Sequence, residues 1–533
     1  MKKLIPVFGR LKEDSFNFEL IETYFKKKNH SVAFQTLSDK TCNDLDFAEL
    51  FLFVDRTNSK IGQQFMYNQL RTISSDSGKI VRTEKLIKAL TENTEFRLRV
   101  QNQLSKLNHN DAFYITSLFQ EDHIKPPSWF FLIQLLSFTS LISIILLFFN
   151  PIMAFVLLPV FIVNMVVHYW NKKNLYQYLN SLPQLLKLMA VAVVLFKEDQ
   201  LKTINPRLPE SIRIVNKVRN RMAFFQMEAK LQGDMEALVW GILELFKILF
   251  LLEPLLLFGA LKRLDTKRKE LEEIFAFVGE IDALFSIASL RKGLEGYCFP
   301  QIIEEQKVLL AHEVYHPLIA DCVRNCIRVD GKSILLTGSN MSGKTSFIRT
   351  IAINVITGLT INTCFAEEFS MPRMRVFSAI RISDDLMNDK SYYFEEVLTI
   401  KEMIDHSING QPNLFLLDEI FKGTNTIERI SAGKAVLSSL TKAENMVFVS
   451  THDIELTDLL KDEYELYHFS EIVNAKTVDF DYKLKEGKLK TRNAIRILQI
   501  NDYPKHIIKE AIEIAKELDK ERVGSWEQVD LRI

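Results

Sequence analysis

Ser333 to Thr337 is a short apolar run that leads directly into Gly338-Ser339-Asn340-Met341-Ser342-Gly343-Lys344-Thr345, and a helix-compatible run, Ser346 to Ile356, follows. A strand, a Gly-x-x-x-x-Gly-Lys-Thr loop and a helix, in that order, are what a phosphate-binding loop requires. The glycines let backbone N–H groups turn inward on an anion with no Cβ in the way, and the helix presents its positive end to the same anion. The pattern predicts that Gly338 through Ser346 cradle the phosphates of ATP. Lys344 reaches the β- and γ-phosphates, and Thr345 holds Mg²⁺.

A second stretch supports the first. Leu414-Phe415-Leu416-Leu417-Asp418-Glu419 is wholly apolar until it ends in two acids. A continuous apolar run is the signature of a buried parallel strand, and ligands bind at the carboxyl ends of such strands. Asp418 is placed to support the Mg²⁺, and Glu419 to polarise an attacking water as general base. A third run, Asn445 to Ser450, ends in Thr451-His452-Asp453. His452 would by itself read as a loop residue; after such a strand it can sense the γ-phosphate.

These motifs together resemble the MutS family. The likeness includes the Asn340-Met341 pair in the loop, and His316-Pro317-Leu318, similar to the entry of that family's ATPase domain. It extends to Arg381 through Leu386 and Lys390 through Glu396, to Asp418 through Thr426, and to Ser450 through Leu456. It covers roughly the last 220 residues. Lys422 stands where the family usually has Arg, and Asn425 where it has Ser or Thr. The resemblance implies a homodimer in which Ser391 of the partner subunit closes each ATP site, with Lys422 to Thr426 as an interface loop. Ser391 also sits where an N-cap of its own helix would, so both roles stand. Upstream, Leu37 to Asp46, Val54 to Thr57 and Gly62 to Phe65 resemble the opening of the family's helical core. The family further implies a clamp on double-stranded DNA. A membrane-associated ATPase acting on a protein or on the membrane is the alternative. The element that wedges a Phe beside a mispair in mismatch readers has no counterpart long enough before Leu37.

Lys+Arg and Asp+Glu both total 67 in 533 residues, so no global field draws the chain to nucleic acid. The five cysteines contain no Cys-x-x-Cys pair and read as reduced thiols. No apolar signal segment opens the chain.

Trp129 to Phe149 and Ile152 to Val167 carry no charge, with Asn150-Pro151 between them. Each approaches the ~20 residues that cross a bilayer. Lys125 precedes the pair and Lys172-Lys173 follow it, which predicts a hairpin with both ends cytoplasmic. Met235 to Leu261 is apolar but holds Glu244, Lys247 and Glu253, and reads as a core or interfacial helix. Residues 261–275 read as a solvated helix face or as a phosphate-binding patch. The expected architecture is multidomain. It comprises an N-terminal helical core-like region (1–128), a transmembrane hairpin in the inner membrane (129–170) and a helical core or lever region (171–305). An α/β P-loop ATPase of the ABC/MutS type with C-terminal dimerisation helices (306–533) follows, in the cytoplasm.

Overall fold

The computed structural model describes residues 7–76, 78–218, 222, 225, 237–304, 307–339, 341–381, 392–408, 410–473, 478–489, 494–501 and 503–526. The chain divides into two units, a helical one (Met1–Thr36 with Phe51–Glu295) and a mixed α/β one (Leu37–Leu50 with Gly296–Ile533). The fold is thus multidomain and mixed.

In the helical unit, Lys60–Arg71 packs along Arg268–Gly293, a 26-residue helix whose central residues are nearly all buried. Their close approach explains the Val54–Phe65 motif. Ser59 caps the first helix by accepting from the Gly62 N–H. Asp282 faces that same helix start and accepts from the N–H groups of Asn58 and Ser59 (both 2.8 Å) and from their side chains (3.2 and 2.5 Å). A carboxylate at a helix N-terminus meets unpaired donors and the positive end of the dipole. A Cβ on Gly62 would lie 2.1 Å from Asp282 Oδ2, so only glycine fits there. Burial pushes the Asp282 carboxyl up to about 6, against the pull of the Ser59 hydroxyl, the Asn58 backbone and side-chain N–H groups and the charge of Lys12. Asp55 repeats the device locally, accepting from Thr57 and from Gln63 Nε2 (2.8 Å).

Among the described residues, three helices are long and apolar enough to cross a membrane: Phe130–Leu147, Pro151–Asn174 and Tyr176–Leu195. Protein buries only 17% and 11% of the most apolar window of the first two, but 67% of the third. The third is mostly covered by protein, and its apolar run, Gln184 to Phe196, is short for a span and reads as core. Asn150 caps the turn between the first two, accepting from the Ile152 N–H (3.0 Å). The stretch from Met235 to Leu261 is not one helix. Its described part forms Ala237–Phe250 and Leu252–Leu264, broken at Leu251, which is left-handed (φ 45°, ψ 43°).

The second unit is built on a six-stranded sheet. From one edge its order is Lys485–Glu486, Tyr464–His468, Ser333–Thr337, Met446–Ser450, Asn413–Asp418 and Arg375–Ala379. All pairings are parallel except that of Lys485–Glu486. Ser333–Thr337 and Met446–Ser450 are buried throughout. That matches a parallel sheet covered on both faces. A four-stranded sheet (Gln301–Ile303, Glu368–Pro372, Val308–Val314, Asn325–Asp330) completes the unit. Leu37–Leu50 belongs here and not with the helices that follow it in sequence. Asp44 accepts from Ser378 Oγ (2.7 Å) and from the N–H groups of Ile380 (3.0 Å) and Arg381 (2.8 Å), and Asp46 pairs with Arg349 and Arg381.

Candidate functional site

Parallel pairing brings the strand tips into register. Ser450 stands opposite Leu336 on one side and Asp418 on the other. The Gly-rich loop, the two acids and Thr451-His452 therefore emerge together at the carboxyl edge of the sheet.

The loop leaves the strand through Gly338 (φ 152°) and enters the helix Lys344–Ile361 through Gly343 (φ 105°), conformations that L side chains rarely adopt. Met341 between them is also left-handed (φ 70°) and is 82% exposed. Lys344 is buried and folds back, so that its ammonium donates to the carbonyls of Gly338 (2.8 Å) and Ser339 (2.9 Å). Those two oxygens stand in for the anionic oxygens that such a lysine would meet on a phosphate. Burial lowers the pKa of Lys344, while Glu419 and Asp418 pull it back up. The Ser342 hydroxyl is buried and makes no hydrogen bond within the described structure.

Across the strand tips, Thr345 Oγ1 donates to Asp418 Oδ2 (2.9 Å), and the Ser450 hydroxyl donates to the other Asp418 oxygen. Glu419 is left-handed (φ 52°), its N–H donating to the Ser450 carbonyl (2.9 Å). Its two carboxylate oxygens meet His452 Nε2 (2.6 Å) and Lys422 Nζ (2.7 Å). The His452 hydrogen bond, then that of Lys422, hold the Glu419 carboxyl down to about 2 against the opposing effect of burial.

The loop after Glu419 is fixed from below. Buried Glu396 accepts the Phe421 N–H (2.6 Å), and Asn425 caps the helix Thr426–Leu440 by accepting from the Glu428 N–H (3.0 Å). Arg429 grips Asp453 through two bonds (2.8 and 2.6 Å), tying that helix to the His452 loop.

A cavity of about 500 Å³ opens over the Gly-rich loop. Lys344, Thr345, Ser346 and Glu419 line one side; Ile319 to Val323, Phe469 and Tyr482 line the other. Of the site residues read from sequence, Gly338, Ser339, Met341 to Ser346, Asp418, Glu419 and His452 lie at this edge. Asn340 and Ser391 lie outside the described residues, as does the rest of 382–391.

Several members of the site had no signal of their own. Tyr482 is left-handed (φ 51°), with its ring 3.3 Å from where a Cβ on Gly343 would be, and Asn325 Nδ2 donates to its carbonyl (3.0 Å). Glu471 accepts from the Ser339 hydroxyl (2.8 Å). The alternating run Val478–Leu484 that passes through Tyr482 reads as strand, but only Val478–Phe480 is one.

Residues 334–519 match the family model of MutS domain V. The DNA mismatch repair protein MutS of Aquifex pyrophilus is 28% identical over 268 residues, which is 48% of this chain and 31% of the relative. That of Listeria welshimeri is 29% identical over 267 residues (48% and 30%), and that of Methanosarcina acetivorans 29% over 280 (49% and 30%). The chain thus spans about a third of the length of these relatives. The part of the chain that carries this site is thus similar to domain V of the MutS family.

Proposed function

We propose that the chain is a MutS-type ATPase, in which Gly338 to Ser346 bind ATP and Glu419 activates the water that attacks it. The observation that carries this reading is the meeting of Thr345, Asp418 and Ser450 beside the Glu419–His452 pair at one sheet edge. The oxygen donors of Thr345 and Asp418 suit Mg²⁺, and the orphaned Ser342 hydroxyl suits a phosphate oxygen. Thr345 and Asp418 would hold Mg²⁺, which would supply Lewis-acid neutralisation of phosphate charge there. The protein's own groups must rearrange first. Lys344 leaves its two carbonyls for the phosphates, and Glu419 frees an oxygen from Lys422 or His452 to take a proton from water.

Lys344→Ala should abolish or severely weaken ATP binding. Glu419→Gln should keep binding and lose about 10²–10⁴ in turnover, the usual share of a general base. Wild-type hydrolysis by purified Glu419→Gln protein would remove Glu419 from that role.

The reading includes a membrane anchor, the hairpin 129–170 in the inner membrane, with the ATPase in the cytoplasm. The exposed apolar faces of Phe130–Leu147 and Ala154–Asn174 support it, as do Trp129 and Trp170, tilted against each other at the open end (rings 5.5 Å apart), a pair of the type that favours a membrane interface. The full chain should resist alkaline carbonate extraction, and protein lacking 129–170 should be released by it. Recovery of full-length protein in the soluble fraction would count against the anchor.

The name of the relatives, DNA mismatch repair protein, supports DNA as the partner, which we take to be double-stranded and held by a homodimeric clamp. The balance of 67 basic and 67 acidic residues favours a second reading, an ATPase working on a protein or on the membrane. DNA affinity measured against salt separates the two. A steep negative slope is expected of a clamp on phosphates, and no measurable affinity at low salt leaves the second reading.

A further inference from the structure

The anchor leaves two features of the helical unit without a role: the break at Leu251, and the buried charges on either side of it. We infer that residues 237–264 form a re-entrant helix–break–helix, which dips into the bilayer beside the hairpin and returns to the side it came from. The inference rests on the anchor reading above.

The contacts trace the path. The open end of the hairpin is marked by Trp129 against Trp170 and by Lys172. There Glu244 accepts from Lys172 Nζ (2.9 Å) and His168 Nε2 (3.1 Å). Further along the same helix, Asn164 Nδ2 donates to the Leu249 carbonyl (2.8 Å) and Ser137 Oγ donates to the Phe250 carbonyl (2.8 Å). Ser137 is the eighth residue of Phe130–Leu147, about 10 Å in from its start. Asn164 is the eleventh of the 21 residues of Ala154–Asn174. The break is therefore level with the middle of the hairpin. The second helix then runs back. The Phe258 ring packs on Phe130 (5.3 Å), at the hairpin's first turn, and the Leu261 carbonyl lies 3.2 Å from the ring of His123, which precedes the hairpin.

Length agrees with this path. The helices have 14 and 13 residues, about 20 Å each, and neither can cross a core of about 30 Å. An interrupted helix survives at membrane depth only where protein satisfies the freed backbone groups, which is what Ser137 and Asn164 do at Phe250 and Leu249. The charges are neutralised in place. The Lys247 ammonium lies between Glu244 (2.6 Å) and Glu253 (2.7 Å), stapling the two helices across the break. That ammonium supplies positive charge to both carboxylates of the cluster that His168 joins. The outer face fits acyl chains: Ile242, Leu245 and Phe246, at helical spacing, are each half-exposed, continuing the apolar surface of the hairpin.

The test uses the full chain in sealed vesicles of known orientation. Each protein carries one added cysteine at an exposed position: Lys217→Cys, Phe246→Cys, Lys262→Cys or Asn150→Cys. Labelling by a membrane-impermeant maleimide is read peptide by peptide, so the native thiols do not interfere. Positions 217 and 262 should both label from the ATPase side, and position 246 from neither side until detergent is added. Labelling of 217 and 262 from opposite faces would mean a complete span and overturn the inference. Rapid labelling of 246 in intact vesicles would mean a surface segment and overturn it too. Position 150 reports on the anchor alone: it should label only from the face opposite the ATPase. Labelling from the ATPase face would remove the hairpin, and this inference with it.

Discussion

Glu419 is engaged at both oxygens before any substrate arrives, and that sets a measurable trait. A base must be ionised to act, and Lys422 is one of the groups that keep its carboxyl far down, at about 2. Lys422→Met should raise that pKa toward the ordinary carboxylate range. The acid limb of the pH–turnover profile then moves to higher pH, and turnover near neutrality rises by about a few-fold as the stronger, freer base takes the proton. An unmoved acid limb would mean that Lys422 leaves Glu419 before the rate-limiting step. Much of this site was legible. Asp418, Glu419 and His452 follow directly on apolar runs, and Lys344 and Thr345 follow one through the Gly-rich loop, so strand and chemistry are read from the same few residues. What was hidden is how they are held. The return of Lys344 to its own loop carbonyls, and the wall that Tyr482 makes at positive φ, depend on backbone conformations that residue type does not announce.

At the scale of elements, the Gly62–Asp282 contact joins two helices through one missing Cβ. Gly62→Ala must push Asp282 or the helix aside, a loss of about 1–3 kcal/mol or more, seen as a lower thermal midpoint in detergent. Asp282 also gives stability a pH dependence. Its folded pKa is raised from 3.8 to about 6, so its contribution is full below the lower value and is lost as pH rises through the higher one. The difference, of order 3 kcal/mol, should appear as a midpoint falling between pH 4 and 7 in the wild type, with that part of the slope absent in Asp282→Asn. Equal slopes in both proteins would mean that Asp282 is ionised throughout. The loop before Lys60 was readable from Val54 to Thr57 and from Gly62, but its partner Asp282, far along the chain, was not. The break at Leu251 was equally hidden, because a left-handed leucine has no sequence signature. Pro254 was its one readable trace, since proline is tolerated in the first turn of a helix and breaks the middle of one.

For the whole molecule, the prediction with the widest reach is completion of each ATP site across a dimer. The resemblance puts the partner's Ser391 there, just ahead of the helix Tyr392–Ser407, whose unpaired N–H groups favour an anion. Ser391→Ala should lower turnover with little change in ATP affinity. Mixed with Lys344→Ala subunits, it should regain activity, because the heterodimer has one intact loop facing one intact serine. No gain, with subunit exchange demonstrated, would leave Ser391 an N-cap. The multidomain, mixed helical and α/β character of the chain was legible from its apolar runs and motifs. The place of Leu37–Leu50 was not, since a short polar helix carries no mark of the sheet edge it serves. Because that segment belongs to the second unit, the backbone passes between the units three times, at 36/37, 50/51 and 295/296. A truncated protein beginning at Gly296 would thus contain every ATP-site motif and still be incomplete: the N–H groups of Ile380 and Arg381 and the Ser378 hydroxyl would lose the carboxylate that pins them. Such a fragment should be unstable when expressed alone and be rescued by a separately supplied peptide of residues 37–50, which makes the shortest form with an intact sheet edge a two-piece object.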